Sequence, residues 1–121
     1  MAVKRIVSNI ATDRIGDTVA FYRDILGLRV VMDHGWIVTL AAHDHATPQV
    51  SVASEGGSGT PVPDLSIEVD DLAQVHQRVV AAGLRVEYGP VTEPWGVRRF
   101  FVRDPCGRLL NILTHGEDDS A

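Results

Sequence analysis

The sequence predicts an α+β fold built from two strand-helix-strand-strand-strand (βαβββ) modules with mixed sheets. Two observations support this prediction. Short apolar segments of strand length surround two segments with helical periodicity, and the same order of elements occurs twice along the chain. The tetrapeptide Gly-Leu-Arg-Val also follows each predicted helix, at 27–30 and at 83–86. Because one helix on a small sheet leaves apolar surface uncovered, we expect the two modules to form one folding unit.

The first module is predicted over about residues 4–53. Asp13 is a candidate N-cap for an amphipathic helix at 15–26, and Gly27 follows that helix as its C-terminal glycine. Phe21 and Ile25 in the helix, and Leu28 beyond it, are expected in the core. The predicted strands of this module are 4–11, 28–33, 36–41 and 49–53, with a tight turn at His34-Gly35 between the second and third.

Residues 54–63 have the composition of a linker, with three glycines and two prolines in ten residues. The second module is predicted over about residues 64–114, and the two modules together form a single domain, 1–121. Asp70 or Asp71 caps its helix, which continues to Ala82 and ends at Gly83. The predicted strands of this module are 64–69, 84–88, 97–102 and 109–114.

Composition excludes several classes of function. The formal net charge is −5, and the Arg98-Arg99 pair is too small to form a basic stripe, so no nucleic-acid partner is expected. No apolar run is long enough to span a membrane, and the first residues lack a signal-peptide core, so no membrane partner is expected. The single cysteine, Cys106, cannot form an internal disulfide, which suits a reducing compartment. We therefore expect a cytoplasmic protein.

Three segments carry a family resemblance. They are FYRDILGL at 21–28, DLSIEVDD at 64–71 and FVRDPCGRLLNI at 101–112. Together they resemble the vicinal oxygen chelate superfamily, which comprises glyoxalases, bleomycin-resistance proteins and extradiol dioxygenases. The run PWGVRRFF at 94–101 resembles segments of the bleomycin-resistance-like branch. The resemblance implies curled sheets that form a ligand trough, and a homodimer.

The resemblance also implies where a metal would bind. Members that use a metal take ligands, typically His, Gln or Glu, from the first and last strand of each module. The corresponding positions here are Val7 or Ser8, then one of Gln49, Ser51 and Ala53, then Asp64, then Asn111. This set offers one carboxylate at most, so no metal and no other cofactor is expected. Two alternatives stay open: a divalent ion held weakly by Asp64, Asn111 and Gln49, and a loop site at His43 and His45.

Aromatic and polar residues on the predicted trough suggest a small-molecule site. Trp36 opens a strand, and Trp95 lies in a Pro/Gly turn next to Phe101 on the following strand. Arg98 and Arg99 face opposite sides of that strand, and Arg99 is taken as the ligand-side residue although the register leaves the choice open. The candidate ligand-binding residues are Trp36, Gln49, Asp64, Trp95, Arg99, Phe101 and Asn111.

Two classes of function fit this set. The first is a metal-independent binder of the bleomycin-resistance type that sequesters an antibiotic or another aromatic or polar natural product. The second is a lyase, isomerase or dioxygenase of the same superfamily, either metal-dependent or using Asp64 as a general base. Asp64 is the single catalytic candidate, and its pKa would have to be raised by burial. The residues favour the binder and do not identify its ligand.

Overall fold

The computed structural model describes residues 2–42 and 49–115 of the chain. Within these residues the α+β prediction is confirmed, since eight strands alternate with two α-helices and one π-helical turn (Phe21–Ile25). The first half contains β1 (Val3–Ala11), α1 (Ile15–Ala20), the π-helical turn, β2 (Arg29–Asp33), β3 (Ile37–Ala41) and β4 (Gln49–Ala53). The second half contains β5 (Leu65–Val69), α2 (Leu72–Ala81), β6 (Val86–Thr92), β7 (Val97–Arg103) and β8 (Leu109–His115).

Two compact units repeat one topology. Residues 7–62 form one unit, and residues 63–115 together with 2–6 form the other. In the first the strand order is β2-β3-β4-β1, with β1 and β4 parallel and the remaining pairs antiparallel. In the second the order is β5-β8-β7-β6, with β5 and β8 parallel and the remaining pairs antiparallel. The internal repeat predicted from the sequence is therefore present in the backbone pairing.

Helix α2 covers one face of the sheet in the second unit. Asp71 is its N-cap, with a side-chain carboxylate that accepts a hydrogen bond from the Gln74 backbone N–H at 3.0 Å. Asp70 instead accepts a hydrogen bond from the Ala2 N–H at 2.8 Å, so the N-cap is Asp71 and not Asp70. Gly83 has a φ of +76° and ends the helix as predicted. The core beneath the helix consists of Val69, Leu72, Phe100, Val102 and Ile112.

The first unit corrects two predictions about its helix. Its core contains Val19, Val38, Leu40 and Val52, with Ile15, Tyr22 and Leu28 packed against it, whereas Phe21 and Ile25 are 52% and 69% exposed. Phe21 follows Val19 by two residues and so projects from nearly the opposite side of the helix. At Phe21–Ile25 the chain forms a π-helical turn, which advances each residue by a smaller angle and turns Ile25 off the buried stripe.

Asp13 does not cap the first helix. The N-cap position is Arg14, which has no side-chain capping bond, and its backbone N–H donates to Thr12 Oγ1 at 2.9 Å. The helix therefore begins one residue later than an Asp13 cap requires, and the Thr12 hydroxyl bonds the N-cap residue itself rather than a backbone N–H of the first helical turn.

The glycine-rich segment 54–63 is a hydrogen-bonded turn. The Gly56 N–H donates to the Thr60 carbonyl at 2.8 Å, and the Thr60 N–H donates back to the Gly57 carbonyl at 3.0 Å. A Cβ at Gly56 would collide with the Pro61 carbonyl and the Thr60 hydroxyl. Glycine is needed here for close packing of the backbone rather than for flexibility.

Candidate ligand-binding site

The second unit carries a row of side chains on the sheet face opposite α2. Alternation along each strand sends Phe100, Val102 and Ile112 toward α2 and their neighbours to the other face. The backbone register pairs Ser66 with Asn111, Asn111 with Phe101, and Phe101 with Tyr88. One row of four residues, Ser66-Asn111-Phe101-Tyr88, therefore crosses all four strands. We call it the central row.

Arg99 lies beside the central row as the centre of a buried cluster. It is 2% exposed, and its Nε donates to Glu93 Oε2 at 2.7 Å. The Tyr88 hydroxyl donates to the same carboxylate oxygen, also at 2.7 Å. The guanidinium carbon lies 5.3, 5.0 and 4.8 Å from the ring centroids of Tyr88, Trp95 and Phe101. A positive charge among three aromatic faces gains cation–π attraction, while Glu93 neutralises it.

The choice between Arg98 and Arg99 is settled by this geometry. Arg98 is only partly buried and donates to Thr92 Oγ1 at 3.0 Å, an exposed contact on the neighbouring strand. Arg99 pairs with Leu113 and shares the face of Phe101, two residues further along the strand. Arg99 is thus the residue on the side of the central row.

Glu93 is a site residue that the sequence analysis missed. It begins the turn between β6 and β7, where its N–H donates to the Val97 carbonyl at 2.7 Å and its carbonyl accepts from Gly96 at 3.2 Å. Gly96 has a φ of +93°, which lets this turn close. A glutamate in a Pro/Gly turn is ordinarily exposed, and no local pattern in the sequence indicates that this turn folds position 93 back toward Arg99.

Asn111 occupies the centre of the row and has an unsatisfied oxygen. The residue is 8% exposed, and its Nδ2 donates to Ser66 Oγ at 3.1 Å. Its Oδ1 is buried without a hydrogen-bond partner among the described residues. Leu109 and Leu113, which precede and follow it on the same face of β8, are both buried. A buried acceptor between two leucines needs a hydrogen-bond donor to offset the cost of its desolvation.

Asp64 directly precedes the first residue of β5 and is exposed. Its Oδ2 accepts a hydrogen bond from the Leu109 N–H at 2.9 Å, and its own N–H donates to the Leu109 carbonyl at 2.8 Å. The carboxylate thus joins the ends of two parallel strands. Of the two roles open to Asp64, cavity wall or strand end, the contacts match the strand end.

The remaining candidates lie in the first unit. Trp36 precedes β3 and stacks on His34 with ring centroids 6.2 Å apart, and Gln49 is half-buried opposite Ala41. Thr39 and Ser51, on neighbouring strands, share a hydrogen bond of 2.7 Å. The structure therefore brings Trp95, Arg99, Phe101 and Asn111 together in one unit, while Trp36 and Gln49 belong to the other.

The internal repeat relates the positions that the resemblance assigns to metal ligands. With Val7 taken as the counterpart of Asp64, Asn9 is the counterpart of Ser66, and the pairing of Asn9 with Ser51 makes Ser51 the counterpart of Asn111. The set is consequently Val7, Ser51, Asp64 and Asn111, which does not fit a divalent ion because it offers one carboxylate and no imidazole. Among residues 2–42 and 49–115, no three His, Cys, Asp or Glu side chains are grouped closely enough to hold a metal. His43 and His45 lie outside the described residues.

Comparison with known proteins agrees with this topology. Residues 3–112 match the family model of the Glyoxalase/Bleomycin resistance protein/Dioxygenase superfamily. The chain belongs to that superfamily. No curated protein matches it, and no helix in the part of the chain described by the structure is long and apolar enough to cross a membrane.

Solved structures share the fold at low sequence identity. A hypothetical protein from Bacillus halodurans C-125 is 17% identical, with a TM-score of 0.74 over 100% of both chains. A glyoxalase/bleomycin resistance protein/dioxygenase superfamily member from Vibrio splendidus 12B01 is 20% identical, with a TM-score of 0.65 over 94% of this chain and 99% of that one. The Mn(II)-bound glyoxalase from Novosphingobium aromaticivorans is 18% identical, with a TM-score of 0.60 over 98% of this chain and 42% of that one.

Proposed function

We propose that this chain is a small-molecule-binding protein that works without a metal ion and sequesters an antibiotic or another aromatic or polar natural product. The donor set is the observation that carries the proposal. Val7 is aliphatic, Asn111 offers an amide in place of a carboxylate, and the Asp64 carboxylate already accepts a backbone hydrogen bond. Such a set supports neither Lewis-acid polarisation of a substrate nor activation of a bound water.

The cluster around Arg99 supports a binding role. Tyr88, Trp95 and Phe101 surround a neutralised ion pair, and Trp95 and Tyr88 remain partly exposed whereas Phe101 is buried. Small-molecule sites combine apolar and aromatic walls with a few fixed polar groups, and Asn111 with Ser66 supplies those groups beside Phe101. Trp36 and Gln49 extend the proposed set within the first unit.

Metal independence is tested by elemental analysis of protein purified without chelator and by calorimetric titration with nickel, zinc, manganese and iron. We expect less than a tenth of an ion per chain, on the order of trace contamination, and no saturable heat. One tightly bound ion per chain, or metal-dependent turnover of a methylglyoxal–thiol adduct or a catechol, would refute the proposal in favour of the enzyme class. Both measurements use the chain with its natural sequence, so no variant has to be made.

Ligand binding is tested by fluorescence of a Trp36→Phe variant, in which Trp95 is the remaining tryptophan. Titration with bleomycin and a set of planar aromatic antibiotics is expected to quench the emission of Trp95 with a saturable profile. Titrating the same compounds into Trp95→Ala by calorimetry separates true binding from inner-filter effects, because binding at this cluster should weaken about tenfold or more. Unchanged affinity in that variant would remove the binding site from this face.

We also propose a cytoplasmic homodimer. Phe21, Ile25 and Leu26 are more than half exposed and Val30 and Val31 are each 41% exposed, so the first unit has apolar side chains that a second copy of the chain could cover. Light scattering is expected to give twice the mass of the 13.1 kDa chain. A monomer at micromolar concentration would contradict the proposal.

A further inference from the structure

The Asn111 amide is placed where an apolar side chain would be expected. Its neighbours on the same face of β8 are leucines, and its cross-strand partner is Phe101. One half of the amide is satisfied by Ser66, and the acceptor half has no partner among the described residues. Burying an unpaired acceptor is unfavourable, and a well-packed leucine at this position would avoid that cost. The cost is understandable when a bound molecule supplies the missing donor.

Apart from Asp64, which accepts the Leu109 N–H, the charged groups named on this face are paired within the unit. Arg99 is paired with Glu93, and Arg103 with Glu87 at 2.9 Å. Glu68, on the same face as Ser66, lies 3.0–3.9 Å from the charged or polar nitrogens of Lys4, Arg5 and His115. A carboxylate or phosphate group entering here would lose its hydration without gaining a counter-charge, and the Asp64 carboxylate is exposed to water, where it gives a cation little net attraction, so charged ligands are disfavoured.

The ring next to the amide restricts the shape of the ligand. Phe101 lies between Asn111 and Tyr88 in the central row, and the rings of Phe101 and Tyr88 are 5.2 Å apart with their planes inclined by 55°. The Phe101 ring is 1% exposed and Asn111 Oδ1 is buried, so neighbouring side chains must move aside before a ligand reaches either of them. A flat molecule that then packs against the ring has its edge beside the amide, where an N–H or O–H can meet Oδ1.

We infer that this face takes an uncharged planar molecule that donates an N–H or O–H hydrogen bond to Asn111 Oδ1. The inference rests on the binding function proposed above and specifies the chemical class of its ligand. It differs from metal chelation by vicinal oxygens, because the ligand supplies a donor to a protein acceptor rather than lone pairs to a cation.

The test compares three probes of one shape by calorimetry. Naphthalene-2-carboxamide is neutral and carries an N–H donor, methyl 2-naphthoate is neutral without a donor, and 2-naphthoate is an anion. We expect the amide to bind at least about tenfold more tightly than the ester or the anion, because each of these leaves the acceptor unpaired. In Asn111→Leu the preference for the amide over the ester should vanish, while the exposed substitution Gln77→Leu on α2 should preserve it.

Each outcome decides between the two proposals. Equal binding of all three probes, with loss of affinity in Trp95→Ala, would overturn the ligand class and leave the binding function standing. Preference for the anion would also overturn the ligand class. Failure of every probe and of the antibiotic panel to bind would overturn both. If Asn111→Leu does not fold, as judged by circular dichroism, Asn111→Ala removes the same acceptor with a smaller change in volume.

Discussion

The ion pair between Glu93 and Arg99 makes a sharp stability prediction, because both side chains are only 3% exposed. Replacing Glu93 with Gln keeps the shape of the side chain and leaves the positive charge of Arg99 buried without its counter-charge. Removing one partner of a buried pair costs about 3–5 kcal/mol. Two unit charges about 4 Å apart at an effective dielectric constant near 20 interact by about 4 kcal/mol, which agrees with that range.

Urea denaturation followed by circular dichroism measures this cost. With a slope of about 2 kcal/mol per molar urea, the midpoint of Glu93→Gln should fall by about 2 M. A matched control is Glu87→Gln, which breaks the pair with Arg103 at a similar distance of 2.9 Å but with side chains that are 29% and 48% exposed. That control should cost less than about 1 kcal/mol because water screens the pair.

A double variant separates the lost charge from general damage to the site. Glu93→Gln combined with Arg99→Met removes both charges and keeps apolar volume against Tyr88, Trp95 and Phe101. It should recover most of the stability lost in the single variant. If Glu93→Gln shifts the midpoint no more than Glu87→Gln does, Arg99 is not desolvated and the reasoning about the cluster is wrong.

Three further predictions concern the frame around the site. Gly89→Ala should cost more than about 2 kcal/mol of folding stability, because its φ is +78° and a Cβ would collide with a carbonyl of β7. Gly107→Ala, with a φ of +84° but open space around the Cβ, should cost about 1 kcal/mol. The midpoints of urea denaturation distinguish the two variants. Asp71→Ala should cost about 1 kcal/mol through loss of the N-cap of α2, and Asp71→Asn only a few tenths, by the same measurement. The N–H of Ala2 lowers the pKa of Asp70, so the carboxylate stabilises the fold above its ordinary pKa of about 3.9, and this contribution is lost as the pH falls through the lower folded value. The stability difference between the natural chain and Asp70→Asn should therefore persist at neutral pH and disappear only below the ordinary aspartate range; a difference that vanishes by pH 6 would contradict it.

The repeated architecture was accessible from the sequence because it depends on local signals. Apolar periodicity located the strands and helices, and the glycines after each helix, Gly27 and Gly83, adopt the positive φ that their positions suggested. The exposure of Phe21 and Ile25 was not accessible in this way. A 3.6-residue period cannot reveal a π-helical turn, and the side of the helix that is buried depends on strands distant in sequence.

Features of the candidate site could be predicted from the sequence only where the position of a residue on a strand determines the direction of its side chain. Alternation showed that Arg98 and Arg99 point to opposite faces, yet the choice required knowing which face α2 covers. Glu93 lies in a turn, and its burial results from the fold of the β6–β7 hairpin rather than from any local pattern. Asn111 was found through the family resemblance, but its unpaired oxygen depends on pairing with Ser66, 45 residues earlier.

The two units have diverged at equivalent positions, which argues for a specialised second unit. Thr39 stands in the first unit where Phe101 stands in the second, and its hydroxyl shares a hydrogen bond of 2.7 Å with Ser51, the counterpart of Asn111. Ile37 occupies the position that corresponds to Arg99. In the first unit the hydroxyls of Thr39 and Ser51 thus satisfy each other. At the equivalent positions the second unit has Arg99, surrounded by three aromatic rings, and Asn111, whose Oδ1 is buried without a hydrogen-bond partner among the described residues.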